Sequence, residues 1–347
     1  MSAQTQPLPQ PAAQPQPSPM LFFETINSYQ RTAALKAAIE LELFTAIGEG
    51  ATTSEAIALR CQSSVRGIRI LADYLAVIGF MTKQDGQYAL TPDTAVFLDR
   101  HSPAYVGGAI GFLTDDRLKD HFEDLTACVR KGGTVDGEQG TLSVENPIWL
   151  EFARYMGKLQ SNPAESIARI LHVENAPSLK VLDIAAGHGI YGVTIARHNP
   201  HTEVFAVDWP GVLRIARENA EAAGVVDGWT ALPGSAFEVD FGTGYDLALI
   251  TGFLHHFDPP ANETLLRKVR QSLAPRGRVV IVEVVPNDDR VTPPPAALFP
   301  LIMLASTRSG DAYTFAELRQ MVFNAGFSTC EVHDIPNNFQ RAIVAHV

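Results

Sequence analysis

Residues 181–192, with the sequence VLDIAAGHGIYG, constrain the fold of this chain more than any other stretch. An apolar strand containing Asp183 leads into a turn with Gly187, Gly189 and Gly192, and the pattern VTIARH that follows is helical. A strand, a tight glycine loop and a helix N-terminus allow backbone N–H groups to approach a nucleotide-like ligand closely. The sequence therefore predicts such a ligand site within an open α/β domain.

The position of the acidic residue favours one class of ligand. Asp183 precedes the glycines, where a carboxylate suits a cationic ligand with an amino-acid moiety and is poorly placed beside a pyrophosphate. Asp208, which ends the next predicted strand, could hold ribose hydroxyls of either ligand class. Because the glycines also satisfy G-x-G-x-x-G, a nicotinamide-dependent oxidoreductase stays open as an alternative.

The stretch resembles motif I of the class I S-adenosylmethionine (SAM)-dependent methyltransferases. Over about residues 20–347 the chain resembles small-molecule O-methyltransferases of the plant caffeate and hydroxyindole type and their bacterial relatives, through A-L-x-x-A-x-x-L-x-L-F at residues 34–44, YALTP at 88–92 and LHHF at 254–257. The resemblance implies an α/β fold, a Rossmann-like class I methyltransferase domain preceded by a mainly α winged-helix dimerisation domain, with SAM as the cofactor.

The same resemblance implies the cofactor-binding residues. The family phrase D-x-P matches Asp208-Trp209-Pro210, and the phrase G-D-x-F matches residues 234–237 with Ser235 in place of Asp. Ser235 can still form a hydrogen bond, and Phe237 can flank the adenine ring. The expected cofactor contacts are Asp183, Gly187, Gly189, Asp208, Trp209, Ser235 and Phe237.

One expected catalytic residue follows the predicted strand DLALIT, and the other lies within the predicted strand RVVIVEVV. His255 in LHHF matches the catalytic histidine of the family phrase L-H-D-W, with His256 in place of Asp. A histidine suits a general base because it titrates near neutrality. Glu283 lies inside an apolar strand, where a carboxylate is costly unless it is paired, and the resemblance implies a hydrogen bond that orients His255. No metal is predicted, because adjacent histidines point in different directions.

The acceptor site is expected on four residues of apolar segments. The family phrases F-x-x-x-M and I-M-L-A match Phe152 with Met156, and Met303, while Phe299 is a weaker candidate. The phrase G-x-E-R-T is matched only by GDAYT at residues 310–314, so Ala312 replaces a glutamate. That departure keeps a C-methyltransferase of the same fold open as an alternative to O-methylation.

Length and composition limit the remaining possibilities. The 347 residues suit two domains, with expected divisions into a Pro/Gln-rich disordered tail (1–19), the winged-helix dimerisation domain (20–100), a helical linker and acceptor-pocket segment (101–175) and the SAM domain (176–347). A net charge of −11 opposes binding to nucleic acid or to anionic membranes. Three isolated cysteines indicate reduced thiols in the cytoplasm, and no run reaches the 18 apolar residues of a membrane span.

Local patterns predict the elements of the N-terminal part. Residues 34–47 are expected to form one amphipathic helix ending at Gly48, and Asp85-Gly86 predicts the turn of a hairpin. Helix, helix and hairpin describe a winged helix, but Arg66 and Arg69 alone supply cations to its second helix. We therefore expect a homodimer interface, and a DNA-binding, SAM-sensing regulator is the remote alternative. The expected reaction moves a methyl group to a hydroxyl of a small aromatic or polyketide-like acceptor and releases S-adenosylhomocysteine.

Overall fold

The computed structural model describes residues 17–137 and 140–347. The chain divides into two compact units, residues 1–107 and 108–347. The expected tail lies outside the described residues except for residues 17–19. The finer division of the chain at residues 100 and 175 stays a prediction.

The first unit is mainly helical and carries one hairpin. Its described elements are α1 (Met20–Ile26), α2 (Ser28–Glu40), α3 (Leu43–Gly48), α4 (Ser54–Arg60), α5 (Val65–Val77), β1 (Met81–Gln84), β2 (Gln87–Leu90) and α6 (Pro92–Phe97). The side chains of Thr53 and Ser64 accept hydrogen bonds from backbone N–H groups in the first turns of α4 and α5, as N-caps do. The predicted hairpin is present, with positive φ at Asp85 and Gly86.

The prediction of one helix over residues 34–47 is wrong. Helix α2 ends at Glu40, and Glu42 adopts a left-handed φ of 55° before α3 begins. The Glu42 carboxylate pairs with Arg60 at 3.2 Å and with Arg100 at 3.0 Å. These partners are distant in sequence, so the break depends on tertiary contacts that hydrophobic periodicity does not reveal.

The second unit is an α/β domain preceded by short helices. Its described elements are α7 (Ile110–Leu113), α8 (Asp116–Asp120), α9 (Leu125–Lys131), α10 (Ile148–Tyr155), α11 (Gly157–Ile170), β3 (Leu179–Ile184), α12 (Ile190–His198), β4 (Thr202–Asp208), α13 (Pro210–Ala222), β5 (Trp229–Pro233), β6 (Tyr245–Thr251), α14 (Pro259–Ser272), β7 (Leu273–Val284), α15 (Pro294–Ala297), α16 (Pro300–Ser306), α17 (Phe315–Asn324), β8 (Thr329–Asp334) and β9 (Gln340–His346).

The central sheet has the strand order β5-β4-β3-β6-β7-β9-β8. The first five strands are parallel, and β9 pairs antiparallel with both β7 and β8, so the predicted closing hairpin is present. Helices α11 to α13 pack on one face, and α14 and α17 pack on the other. Because β3, β4, β6 and β7 are parallel, the residues that follow them lie at one edge of the sheet.

No helix of the described residues is long and apolar enough to cross a lipid bilayer.

Candidate active site

The glycine loop joins β3 to α12 and holds a buried carboxylate. Gly187 and Gly189 have φ of 58° and 71°, values that residues with side chains rarely adopt. A Cβ at Gly192 would lie 2.8 Å from Oδ2 of Asp183. That close approach allows the Gly192 N–H to donate to this oxygen at 3.2 Å. The predicted acid and glycines therefore form one unit at the carboxyl end of β3.

Asp208 fixes the loop from the end of β4. Its two carboxylate oxygens accept hydrogen bonds from the N–H groups of Gly187 at 2.8 Å and Trp209 at 2.7 Å. Burial raises the pKa of Asp208 to about 6 despite these bonds. Trp209 precedes α13 and packs with Trp149 on a small apolar cluster beside the loop.

Asp183 accepts fewer hydrogen bonds than Asp208. It is 1% exposed, and its Oδ1 has no hydrogen-bond partner among the described residues. Burial, reinforced by the negative charge of Asp208, raises the pKa of Asp183 to about 7. A cationic amino group would supply a positive charge and a donor for Asp183, and ribose hydroxyls could donate to Asp208. These two carboxylates therefore fit the chemistry of SAM.

The turn after β5 carries the other two expected cofactor residues. The Gly234 N–H donates to the Asp208 carbonyl at 2.9 Å, which joins this turn to the end of β4. Ser235 accepts a hydrogen bond from the Phe237 N–H at 3.3 Å through its hydroxyl. The Phe237 ring meets the Phe257 ring edge-to-face at 4.9 Å, next to the histidine loop. The seven expected cofactor residues thus lie at or just beyond the carboxyl ends of β3, β4 and β5.

The expected pair of His255 and Glu283 is present as a hydrogen bond. His255 Nδ1 lies 2.6 Å from Oε2 of Glu283, and both residues are buried. The other carboxylate oxygen, Oε1, accepts the N–H groups of Phe253 at 2.8 Å and Leu254 at 2.7 Å. Both oxygens of the Glu283 carboxylate are thus occupied, one by backbone N–H groups and the other by the His255 ring.

Backbone contacts hold the histidine loop in place. Asn262, fully buried on α14, donates to the carbonyls of Leu254 at 2.9 Å and Phe257 at 3.3 Å. The Tyr313 hydroxyl also donates to the Phe257 carbonyl. A Cβ at Gly310 would lie 2.3 Å from the His255 carbonyl oxygen, so the backbone of residues 310–314 lies directly against this loop. The role of Asn262 was not predicted from the sequence, because no local pattern distinguishes this residue.

His256 is buried beside the pair and is uncharged. Its ring centroid is 4.3 Å from that of His255 and 5.2 Å from that of Trp149. Burial and the neighbouring His255 hold the pKa of His256 well below its usual value. The Nδ1 atom of His256 has no partner among the described residues. His256 therefore contributes ring packing rather than charge.

His188 links the glycine loop to the expected acceptor site, a role that the sequence did not reveal. Its ring stacks between Phe152 and Tyr191, with centroid distances of 5.6 and 6.4 Å. Its Nδ1 accepts the Ile190 N–H at 3.2 Å, and burial lowers the pKa of His188 to about 4. The neutral ring thereby fixes Phe152 of α10 against the cofactor loop.

The expected acceptor residues fall into two groups. The Phe299 ring meets the His255 ring edge-to-face at 4.9 Å, and a Cβ at Gly187 would lie 3.2 Å from the Phe152 ring. Phe299 therefore lies beside the histidine loop, and Phe152 lies beside the glycine loop. Met303 is buried in α16 and Met156 follows α10, and no described contact joins either of them to His255.

At residues 311–312 the sequence differs from the family phrase G-x-E-R-T, and the contacts of these residues differ accordingly. Ala312 is fully buried, and Asp311 forms an ion pair with Arg290 at 3.3 Å. Asp311 thus faces a surface cation and makes no described contact with His255. Glu283 is therefore the carboxylate that this structure offers to the histidine.

No group of three or more His, Cys, Asp or Glu side chains in the described ranges, 17–137 and 140–347, is arranged to hold a metal ion.

Comparison with known proteins gives the family. Residues 145–328 match the O-methyltransferase domain, and residues 23–100 match the O-methyltransferase dimerisation domain. A solved structure described as a putative O-methyltransferase from Nostoc punctiforme PCC 73102 is 53% identical, with a TM-score of 0.93 over 96% of this chain and 100% of that one.

Two characterised relatives are more distant. A 3-hydroxy-5-methyl-1-naphthoate 3-O-methyltransferase from Streptomyces sahachiroi is 26% identical over 95% of both chains. An L-tyrosine C(3)-methyltransferase from Streptomyces lavendulae is 26% identical over 88% of this chain and 84% of its own.

The chain belongs to the O-methyltransferase family and is a SAM-dependent enzyme with an N-terminal dimerisation domain. Membership of this family confirms the predicted fold and cofactor and contradicts the nicotinamide alternative.

Proposed function

We propose that this enzyme transfers the methyl group of SAM to a hydroxyl of a small aromatic or polyketide-like acceptor, with His255 as the general base, and releases S-adenosylhomocysteine. The observation that carries the proposal is the buried hydrogen bond between His255 Nδ1 and Glu283 Oε2, 2.6 Å long, at the carboxyl edge of the sheet.

The chemistry divides between cofactor and protein. Bound SAM supplies a methyl group already activated on a sulfonium. Glu283 accepts a hydrogen bond from the Nδ1–H group of His255, so the unprotonated Nε2 can remove the proton of the acceptor hydroxyl. A free phenol has a pKa of about 10, and a positioned base accelerates such a transfer by about 10²–10⁴-fold. Asp183 and Asp208 would receive the amino group and the ribose hydroxyls, which fixes the direction of the methyl group.

The acceptor class follows from the surroundings of the base. Phe299 lies 4.9 Å from the His255 ring, and Trp149 lies 5.2 Å from His256. Phe152 flanks the glycine loop. Aromatic side chains at these three positions favour a flat, apolar acceptor. The naphthoate substrate in the name of the Streptomyces sahachiroi relative supports this class.

The dimer, the location and the absence of a nucleic-acid partner are further parts of the proposal. Residues 23–100 match a dimerisation domain, and α1 exposes a cluster of apolar side chains, Met20, Leu21, Phe22, Phe23 and Ile26. Pairing with a second copy would remove this apolar surface from water. The net charge of −11 opposes nucleic-acid and membrane partners, and a reduced, cytoplasmic location suits the free cysteines.

C-methylation is the second candidate. The relative from Streptomyces lavendulae is named for methylation at carbon, and Ala312 removes the second family carboxylate from the histidine loop. The same SAM site would serve an enolisable or aromatic carbon. The position of the new methyl group separates the two candidates.

The test is methyl transfer from isotope-labelled SAM to a panel of phenols, hydroxyindoles, flavonoids and enolisable keto acids, with NMR locating the label. We expect the label on oxygen and a loss of turnover of about 10²–10⁴-fold in His255→Ala, with unchanged SAM binding. His198→Ala is the matched control, because His198 also pairs with a glutamate but lies on the surface. A label on carbon contradicts O-methylation, and full turnover in His255→Ala contradicts the role of the base.

A further inference from the structure

Lys268 of α14 makes an unusual set of contacts with the turn that follows β5. Its Nζ atom donates to the carbonyl oxygens of Ala236 at 3.0 Å and Val239 at 2.6 Å. The same ammonium lies 4.1 Å from the centroid of the Phe241 ring. Lys268 is half-buried, and this partial burial lowers the pKa of its ammonium group from the usual value.

The turn needs this cation for a local reason. The N–H groups of Glu238 and Val239 both donate to the Ser235 carbonyl at 2.9 Å, which closes one helical turn that does not continue. Carbonyls at the end of such a turn lack N–H partners from a next turn. Two of them, those of Ala236 and Val239, are satisfied by Lys268 through charge-assisted hydrogen bonds.

The turn that Lys268 holds through these two hydrogen bonds, here called the Lys268 clamp, carries two of the proposed cofactor residues. The Ser235 hydroxyl and the Phe237 ring flank the place where the adenine would lie. Ala236, between them, is buried, so a movement of its carbonyl would displace both neighbours. Without the clamp, ordering of the turn would have to occur when the ligand binds, and that cost would reduce the affinity.

We propose that Lys268 is a positioning residue for the cofactor: it holds residues 235–239 in the conformation that receives the adenine of SAM. The inference rests on the proposed placement of the adenine beside Ser235 and Phe237. Lys268 acts through the turn and touches neither the reacting methyl group nor the acceptor.

Lys180 provides a matched control. Its Nζ atom donates to the Thr243 carbonyl at 2.9 Å and lies 4.5 Å from the Tyr245 ring centroid, so it makes the same kinds of contact. Lys180 is on β3 near its amino end, at the edge of the sheet away from the glycine loop. A general effect of removing a lysine clamp would therefore appear in both variants, whereas an effect on the adenine site would appear in Lys268→Met alone.

The experiment measures the dissociation constant of SAM by calorimetry and the melting temperature of the free full-length protein. We expect Lys268→Met to raise the SAM dissociation constant about tenfold, which corresponds to about 1.4 kcal/mol. Lys180→Met should stay within about twofold of the parent. Lys268→Arg should show a smaller increase than Lys268→Met, since a guanidinium can also donate to two carbonyls. Phe237→Ala tests the placement of the adenine independently.

The outcomes separate the two levels of the proposal. If Phe237→Ala weakens SAM binding and Lys268→Met does not, the clamp is contradicted while the cofactor site stands. If neither variant weakens SAM binding, the placement of the adenine is wrong, and the role of Lys268 is wrong with it. A lower melting temperature in Lys268→Met with an unchanged dissociation constant would show a purely structural residue.

Discussion

Buried carboxylates at the same edge of the sheet are prepared in two different ways. Glu283 accepts three hydrogen bonds, from two backbone N–H groups and His255. Asp183 accepts one, and its Oδ1 has no partner among the described residues. Protein groups therefore satisfy both oxygens of Glu283, whereas one oxygen of Asp183 lacks a donor. In the proposed function, the amino group of SAM would supply that donor.

Replacement of Glu283, the partner of the proposed base, should strongly reduce turnover. Glu283→Gln keeps the size of the side chain but can present an N–H group to His255, which would force the proton of the ring onto Nε2 and block the base. We expect kcat to fall about 10²-fold, within the range that general-base catalysis supplies. Steady-state kinetics at saturating SAM would measure the change.

The pH profile of Glu283→Gln distinguishes an electronic effect from disruption of the loop. A loss of turnover with unchanged SAM affinity and a shifted pH profile supports the orienting role. Unchanged kcat would show that the hydrogen bond between His255 and Glu283 does not contribute to the reaction.

Asp208→Ala should have the next largest effect, on cofactor binding. It removes the acceptors for the N–H groups of Gly187 and Trp209 as well as the proposed ribose ligand. Hydrogen bonds to charged groups contribute about 1.5–3 kcal/mol, so we expect the SAM dissociation constant to rise roughly 30-fold. Calorimetry measures the binding, and circular dichroism checks the fold. Unchanged affinity would remove Asp208 from the ribose site.

The raised pKa values of Asp183, about 7, and Asp208, about 6, predict a smaller dependence on pH. Because both exceed the ordinary value of 3.8, the protonated forms stabilise the free protein at low pH. This contribution is lost as the pH rises through about 6 and 7. We expect the amino group of SAM to need the ionised form of Asp183, so the affinity should rise roughly 15-fold between about pH 5.5 and 7.

Calorimetry in buffers of different ionisation enthalpy would detect the protons that SAM binding releases. Asp183→Asn, which cannot ionise, should flatten the pH dependence. An affinity that stays constant over this range would contradict the assignment of the ligand cation to these carboxylates.

Deletion of residues 1–19 should have the smallest effect. The Pro/Gln-rich composition cannot supply a packed core, so we expect unchanged turnover and an unchanged melting temperature. Residues 1–16 lie outside the described part of the chain, and the role of the tail stays a prediction. Lost activity in the deleted protein would contradict a passive tail.

The sequence predicted the parts of this molecule that depend on local chemistry. The strand, glycine loop and helix from Leu179 to His198, the Asp85-Gly86 hairpin and the bond between His255 and Glu283 are all present. Contacts between distant segments escaped prediction. The break at Glu42 depends on Arg60 and Arg100, and the stacking of His188 depends on a helix about 35 residues earlier in the sequence. Neither leaves a periodic pattern.

The stretch GDAYT at residues 310–314 combines positions that are held by contacts with positions that differ from the family phrase. Gly310 has no room for a side chain beside the His255 carbonyl, and Thr314 caps α17 through a reciprocal pair of hydrogen bonds with Glu317. Both match the family phrase, and the differences fall between them, at Ala312 and Tyr313. Tyr313 is also anchored, because its hydroxyl donates to the Phe257 carbonyl. A library randomised at residues 311 and 312 would therefore test acceptor preference while leaving the contacts of Gly310, Tyr313 and Thr314 in place.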